Sequence, residues 1–217
     1  MKLSDRLFKE TEELWIEASQ KEFLKGMADG SLEIGLFKNY MIEDYHYLKD
    51  YIEILKQMLN LAEDEELRSF LERVIQDTEY ETYSVHVPYL KELGITDSDV
   101  EHTEKGQVII DYVDFMMKEL NEYGILAGLT ALLQCSWNYA YIAKAVSDRF
   151  SDVLSASQYK DWFEAYTASS YTESNQLWID MVDERAKDIS DEDEERLLYI
   201  FKTCAEYENK LWDYLLV

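Results

Sequence analysis

Cys135 lies in a long apolar stretch, Leu132-Leu133-Gln134-Cys135-Ser136-Trp137-Asn138-Tyr139-Ala140-Tyr141-Ile142-Ala143. Tyr139 follows four residues later, so thiol and phenol share one face of a helix. A thiol on such a helix is ordinarily core filling. A phenol and a thiol buried together need partners, however, and the pair points to a lined pocket. A second stripe runs through Tyr40, Asp44, Tyr47 and Tyr51, at spacings of four, three and four. Tyrosines often fill a core with the hydroxyl at its boundary. Asp44 in their midst fits that reading less well, and a carboxylate among phenols is suited to grip an amine or an amidine-like edge.

A third group sits near the end of the chain: Glu206, Tyr207, Glu208, Leu211, Trp212 and Asp213. Glu208 and Trp212 share a face. On spacing alone this reads as a solvated glutamate beside an apolar stripe, and spacing does not choose between Glu206 and Glu208. Metal chemistry has one match, Glu43-x-x-His46, the i, i+3 pair of di-iron bundles, which needs a partner motif on another helix. Glu79 and His86, seven apart, also share a helical face. No histidine follows His102, so no metal site is expected. Neither a G-x-S-x-G elbow nor a Gly-rich phosphate loop is present.

The elements that must position these residues are helices. Apolar positions recur at three and four throughout, and one proline with seven glycines is little punctuation for a sheet of many turns. The pattern predicts helices over about 4–25, 34–61, 63–93, 104–120, 125–150, 158–188 and 190–216. A kink or break is expected at Pro88. Thr96-Asp97-Ser98-Asp99 offers N-cap chemistry for a short helix, with Ser98 and Glu101 at capping-box spacing, and Ser190 with Asp193 starts the last helix. The 125–150 helix is apolar on most faces and should be central. No repeat, low-complexity tract or linker interrupts the chain, which reads as a single domain over 1–217.

Composition narrows the function classes. Hydrophobic content of 47% with 31% charged residues is that of a globular protein. The formal net charge is −25, from 21 Lys+Arg against 46 Asp+Glu, with no basic stripe. Such a field repels phosphate backbones and anionic lipid, so neither nucleic acid nor a membrane surface is expected as partner. Cys135 and Cys204 fall in helical patterns and read as free thiols of a reducing compartment. No apolar run reaches the roughly 20 residues that span a bilayer, and the N-terminus lacks a signal-peptide core. Together these features point to a cytoplasmic protein.

Several segments in order resemble the TenA (thiaminase II) family of helical aminopyrimidine hydrolases. They begin with Phe23-Leu24, Met27-Ala28-Asp29-Gly30-Ser31-Leu32 and Phe37-Lys38-Asn39-Tyr40, and continue through Glu43-Asp44-Tyr45-His46-Tyr47-Leu48. His86 with Leu90-Lys91-Glu92-Leu93-Gly94-Ile95 comes next. Gln134-Cys135-Ser136-Trp137-Asn138-Tyr139 is similar to the family's Pro-Cys-x-Trp-x-Tyr. Trp162 with Tyr166, and Glu208-Asn209-Lys210-Leu211-Trp212-Asp213, complete a resemblance that covers nearly the whole chain. It departs at Lys21-Glu22-Phe23, where the family often has His-Pro-Phe, at Gln134 in place of proline, and at Leu211 in place of a common phenylalanine. The last departure bears on the pocket wall and the leaving group.

The resemblance implies an all-α, seven- to eight-helix bundle of the haem-oxygenase-like type, assembled as a homotetramer. It implies hydrolysis of aminomethylpyrimidines, and of thiamine, to hydroxymethylpyrimidine in thiamine salvage, with no cofactor. Cys135 would be the nucleophile and Glu208, chosen over Glu206 by the Trp212-Asp213 that follows, the acid/base. Asp44 would hold the pyrimidine edge, and Tyr47, Tyr112, Tyr139 and Tyr166 would match pocket tyrosines. Two other classes compete: a di-iron oxidase or oxygenase on the same fold, and a non-catalytic pyrimidine-binding or regulatory protein.

Overall fold

A computed structural model describes residues 1–216, with the side chains of Ser84 and Val85 outside the description. Among the described residues the secondary structure is helical and contains no strand. The chain forms two compact units, Met1–Leu32 with Leu129–Val217, and Glu33–Gly128.

The first unit contains α1 (Leu3–Ala18), α2 (Glu22–Asp29), most of α8 (Ile125–Arg149), α9 (Lys160–Thr167), α10 (Ser169–Arg185) and α11 (Asp191–Tyr214). Its main packing is α1 on α11. Leu7, Trp15 and Ala18 supply the buried stripe of α1, and Asn209 Nδ2 donates to the Leu14 carbonyl at 3.1 Å. Trp15 is wholly buried, with Trp137 and Tyr141 both 5.3 Å away. An aromatic side chain of this size contributes about 2–3 kcal/mol by leaving water. The expected helix over 4–25 is two helices. Ser19 and Gln20 close α1 and the chain re-enters at Glu22, while Arg149 donates to the Ser19 carbonyl at the break. The expected helix over 158–188 also divides, at Ala168, whose extended ψ of 144° ends α9 and starts α10.

The second unit contains α3 (Ile34–Leu61), α4 (Glu65–Tyr80), α5 (Val87–Glu92), α6 (Asp97–His102), α7 (Gln107–Tyr123) and the first turn of α8. Between α4 and α5 the chain widens into a π-helical stretch, Glu81–His86. A break at Pro88 is therefore not what forms. Proline has no N–H and its ring crowds the preceding turn; the wide turn just before it carries the chain onward into α5. The short α6 is capped by Thr96, whose hydroxyl accepts from Asp99 N–H while Asp99 returns to the Thr96 N–H. The capping box is Thr96/Asp99 and not Ser98/Glu101. Gly124 has φ of 83°, a left-handed value that ends α7. A Cβ on Gly128 would come within 3.0 Å of Met58 Sδ and Leu120 Cδ1, so glycine lets the start of α8 close on α3 and α7.

Candidate active site

The first unit gathers three pairs of side chains, each spaced by one helical turn. Cys135 and Tyr139 lie on α8, Trp162 and Tyr166 on α9, and Glu208 and Trp212 on α11. Their rings meet. The Tyr139 centroid is 5.1 Å from Tyr166, 5.7 Å from Trp212 and 5.9 Å from Trp162. Trp162 lies 4.7 Å from Tyr166 and 6.2 Å edge-on from Trp212. Residues four apart on a helix are neighbours, so the Cys135 thiol and the Glu208 carboxyl each sit one turn from the same aromatic cluster.

Burial separates the two glutamates that spacing left equal. Glu208 is 1% exposed, whereas Glu206 is half-buried. A carboxyl so deep is costly unless its surroundings bond it or hold its proton, so a solvated surface glutamate is the wrong description of Glu208. Gln134, one residue before the cysteine, is fully buried, as is Asn138 between Trp137 and Tyr139. Lys21, at the departure near the N-terminus, ion-pairs with Asp213 at 2.8 Å and Glu17 at 2.9 Å. It thus tethers the residue beside Trp212, a role its sequence neighbours did not signal. Tyr171 was also missed: its ring is 5.1 Å from Tyr166, and its hydroxyl donates to the Ser136 carbonyl at 3.2 Å.

The second unit holds the Asp44 set. Tyr40, Asp44, Tyr47 and Tyr51 are all buried along one side of α3, as the stripe predicts. Tyr112 of α7 stacks on Tyr47 at 5.7 Å with 19° between the rings. Asp44 is 8% exposed, and burial pushes its carboxyl up to about 7. His86 Nδ1 lies 3.5 Å from Asp44 Oδ2. The expected face shared by Glu79 and His86 does not bring them together: Glu79 pairs with Lys56 at 3.3 Å, because the π-helical stretch turns His86 away from the α4 register.

Glu43, the di-iron spacing match, aims both carboxylate oxygens at the Gly106 N–H, 2.9 and 3.0 Å away, at the start of α7. Its chemistry is that of an anion at a helix N-terminus. Among the described residues no group of three or more His, Cys, Asp or Glu side chains is placed to share a metal ion.

The profile of the TENA/THI-4/PQQC family matches residues 8–216. The chain belongs to that family. An aminopyrimidine aminohydrolase of Halalkalibacterium halodurans is 27% identical over 98% of this chain and 95% of its own length. One from Helicobacter pylori is also 27% identical, over 98% of both chains. Among solved structures, a TenA homologue from P. horikoshii OT3 has a TM-score of 0.88 at 27% identity, covering 99% of this chain and 98% of that one. A Shewanella denitrificans domain with a heme oxygenase-like fold reaches 0.76 at 14% identity, over 100% of this chain and 92% of its own. The all-α, haem-oxygenase-like architecture expected from the TenA resemblance is the fold of this chain.

Proposed function

We propose that this TENA/THI-4/PQQC family member is an aminopyrimidine aminohydrolase. It hydrolyses the C–N bond on the exocyclic methylene of aminomethylpyrimidines, and of thiamine, and yields hydroxymethylpyrimidine for thiamine salvage. The observation that carries the reading is the pairing of a buried thiol and a buried carboxyl, Cys135 and Glu208, each one turn from rings of one aromatic cluster. The names of the relatives from H. halodurans and H. pylori support the same activity.

A leaving group on that methylene does not depart easily from a neutral aromatic ring. Attack by the Cys135 thiolate forms a C–S bond and ends the aromaticity, and the ring electrons then expel the amine as the C–N bond breaks. Water adds to the resulting exocyclic methylene and gives its proton to the Glu208 carboxylate, the C–S bond breaks as aromaticity returns, and the released thiolate takes that proton back. Covalent catalysis of this kind divides one hard step into easier ones. An ordinary cysteine is mostly protonated near pH 7, so Glu208 takes the thiol proton and returns it to the departing amine. Asp44 grips the aminopyrimidine edge, with Tyr47, Tyr112, Tyr139 and Tyr166 orienting ring, thiol and carboxyl. The assembly we propose is the family's homotetramer, acting in the cytoplasm, which light scattering and cell fractionation test.

The deciding experiment is hydrolysis of aminomethylpyrimidine beside thiamine by wild type and by Cys135→Ala. Wild type releases hydroxymethylpyrimidine, and the variant stays folded and binds pyrimidine without turning it over. Full activity in the variant would end the covalent mechanism. Binding without release by the wild type would leave a pyrimidine-binding protein.

A further inference from the structure

Asn138 is 1% exposed, and the roles above leave it unused. Among the described residues neither its Nδ2 nor its Oδ1 has a hydrogen-bond partner within the protein. Trp15 and Asn209, also deep in the first unit, each leave a single atom unanswered, and Asn209 donates its Nδ2 to the Leu14 carbonyl. Asn138 leaves its whole amide. A buried polar group without a partner costs about 1–3 kcal/mol, and an amide carries one such group at each end. Leucine branches at the same carbon and has no polar atom to strand. An amide kept at this depth in spite of that cost points to something that it holds.

Asn138 lies three residues after Cys135 on α8, so amide and thiol project from neighbouring positions on one side of that helix. Tyr139, the next residue, meets Trp212, which stands one turn from Glu208. The amide is thus flanked by the proposed nucleophile and by a ring adjoining the proposed acid/base. The reaction proposed above consumes one small polar molecule besides the pyrimidine, the water that adds to the exocyclic methylene. A primary amide suits that water. Buried water typically makes about three hydrogen bonds to polar groups that the protein leaves unanswered. A water that donates one O–H to Oδ1 keeps the other for the Glu208 carboxylate and a lone pair for the methylene carbon. The oxygen of a second water answers the Nδ2–H groups.

We propose that Asn138 is a positioning residue that holds the hydrolytic water beside Cys135 until the amine has left. The inference rests on the hydrolase reading and on its covalent intermediate. In the step concerned the water oxygen forms a C–O bond to the methylene and its proton passes to Glu208. The C–S bond then breaks as the pyrimidine regains aromaticity. Attack by Cys135 and departure of the amine come earlier and need no attacking water. Removing the amide therefore slows only the second half of the reaction.

The test is Asn138→Leu with aminomethylpyrimidine as substrate, in steady state and by rapid quench. The expected kcat falls about 10²-fold, whereas kcat/KM, set by the steps through release of the amine, stays near the wild-type value. Ammonia appears in a burst approaching one per active site, and hydroxymethylpyrimidine follows slowly. Asn138→Ser, whose hydroxyl also binds water, recovers part of the lost rate. The leucine variant melts no lower than wild type, because it loses no hydrogen bond within the protein. An unchanged kcat, a joint fall of kcat and kcat/KM without a burst, or a lower melting temperature in Asn138→Leu overturns the proposal and leaves the hydrolase reading intact. A wild type that releases neither ammonia nor hydroxymethylpyrimidine overturns that reading itself, and this inference with it.

Discussion

Glu208 is 1% exposed on α11, one turn before Trp212, and its burial is what recommends it as the proton carrier of the reaction. Removing a positioned acid/base typically costs about 10²–10⁴ in rate. Glu208→Gln keeps the shape of the side chain and removes its proton. The expected result is a fall of that size in kcat with KM little changed, measured by steady-state release of hydroxymethylpyrimidine. An unchanged kcat would hand the role to another group. The fall should be smaller with thiamine than with aminomethylpyrimidine, because the thiazole leaves as a neutral group and needs no proton, whereas the amine does. Leu211 is buried beside Glu208 in sequence, where the family often has phenylalanine. Leu211→Phe is therefore expected to change the ratio of kcat/KM for those two substrates more than it changes either rate with Glu208→Gln in place.

At the scale of the element, α7 begins on an anion. The Gly106 N–H has no earlier carbonyl within the helix to serve, and Glu43 supplies two oxygens to it in a buried setting. Glu43→Ala strands that N–H and removes a charge from the positive end of the helix. The cost is about 1–3 kcal/mol of stability, read as a lower urea midpoint with an unchanged slope. If Glu43 served a metal instead, a chelator would lower the wild type's urea midpoint toward that of the variant and leave the variant unchanged. At the start of α11, the Ser190 hydroxyl accepts from the Asp193 N–H at 3.1 Å. Ser190→Ala is expected to cost about 1 kcal/mol, a smaller effect because the site is exposed and water replaces the cap.

The whole molecule carries a formal charge of −25, so its compact form repels itself. Raising salt from about 0.01 M to about 0.15 M shortens the screening length from about 30 Å to about 8 Å. The melting temperature is expected to rise over that range. Stability also depends on pH through Asp44 and Glu81, both raised to about 7 in the folded chain, against about 4 when unfolded. The folded state then binds more protons than the unfolded one between those values. Their stabilising contribution is complete below about pH 4 and is lost as pH rises through about 7. Asp44→Asn removes one of the two titrations, so the variant should gain on wild type between pH 5 and pH 8. Urea unfolding at the two pH values checks this; equal differences at both would mean that the carboxyl is not raised.

The residues carrying the site were legible because helical spacing converts directly into shared faces. Cys135 with Tyr139, and Tyr40 through Tyr51, could be read as stripes before any packing was known, and the run of similar segments supplied the family. Helical class and the Ser190 cap were determined in the same way, since each is a local property of a few residues. Burial is not local. Spacing alone did not tell Glu206 and Glu208 apart; the resemblance preferred Glu208, and only the folded chain shows that it is the buried one of the two. Nor could sequence assign Glu43, whose partner is a backbone N–H 63 residues away. The partnership of His86 with Asp44 was likewise hidden. It depends on a π-helical turn that no residue type encodes alone, and the sequence's regular periodicity paired His86 with Glu79 instead. A single added residue per turn rotates everything after it, and only the packing of the second unit, where α3 meets the widened stretch, decided that this rotation would occur.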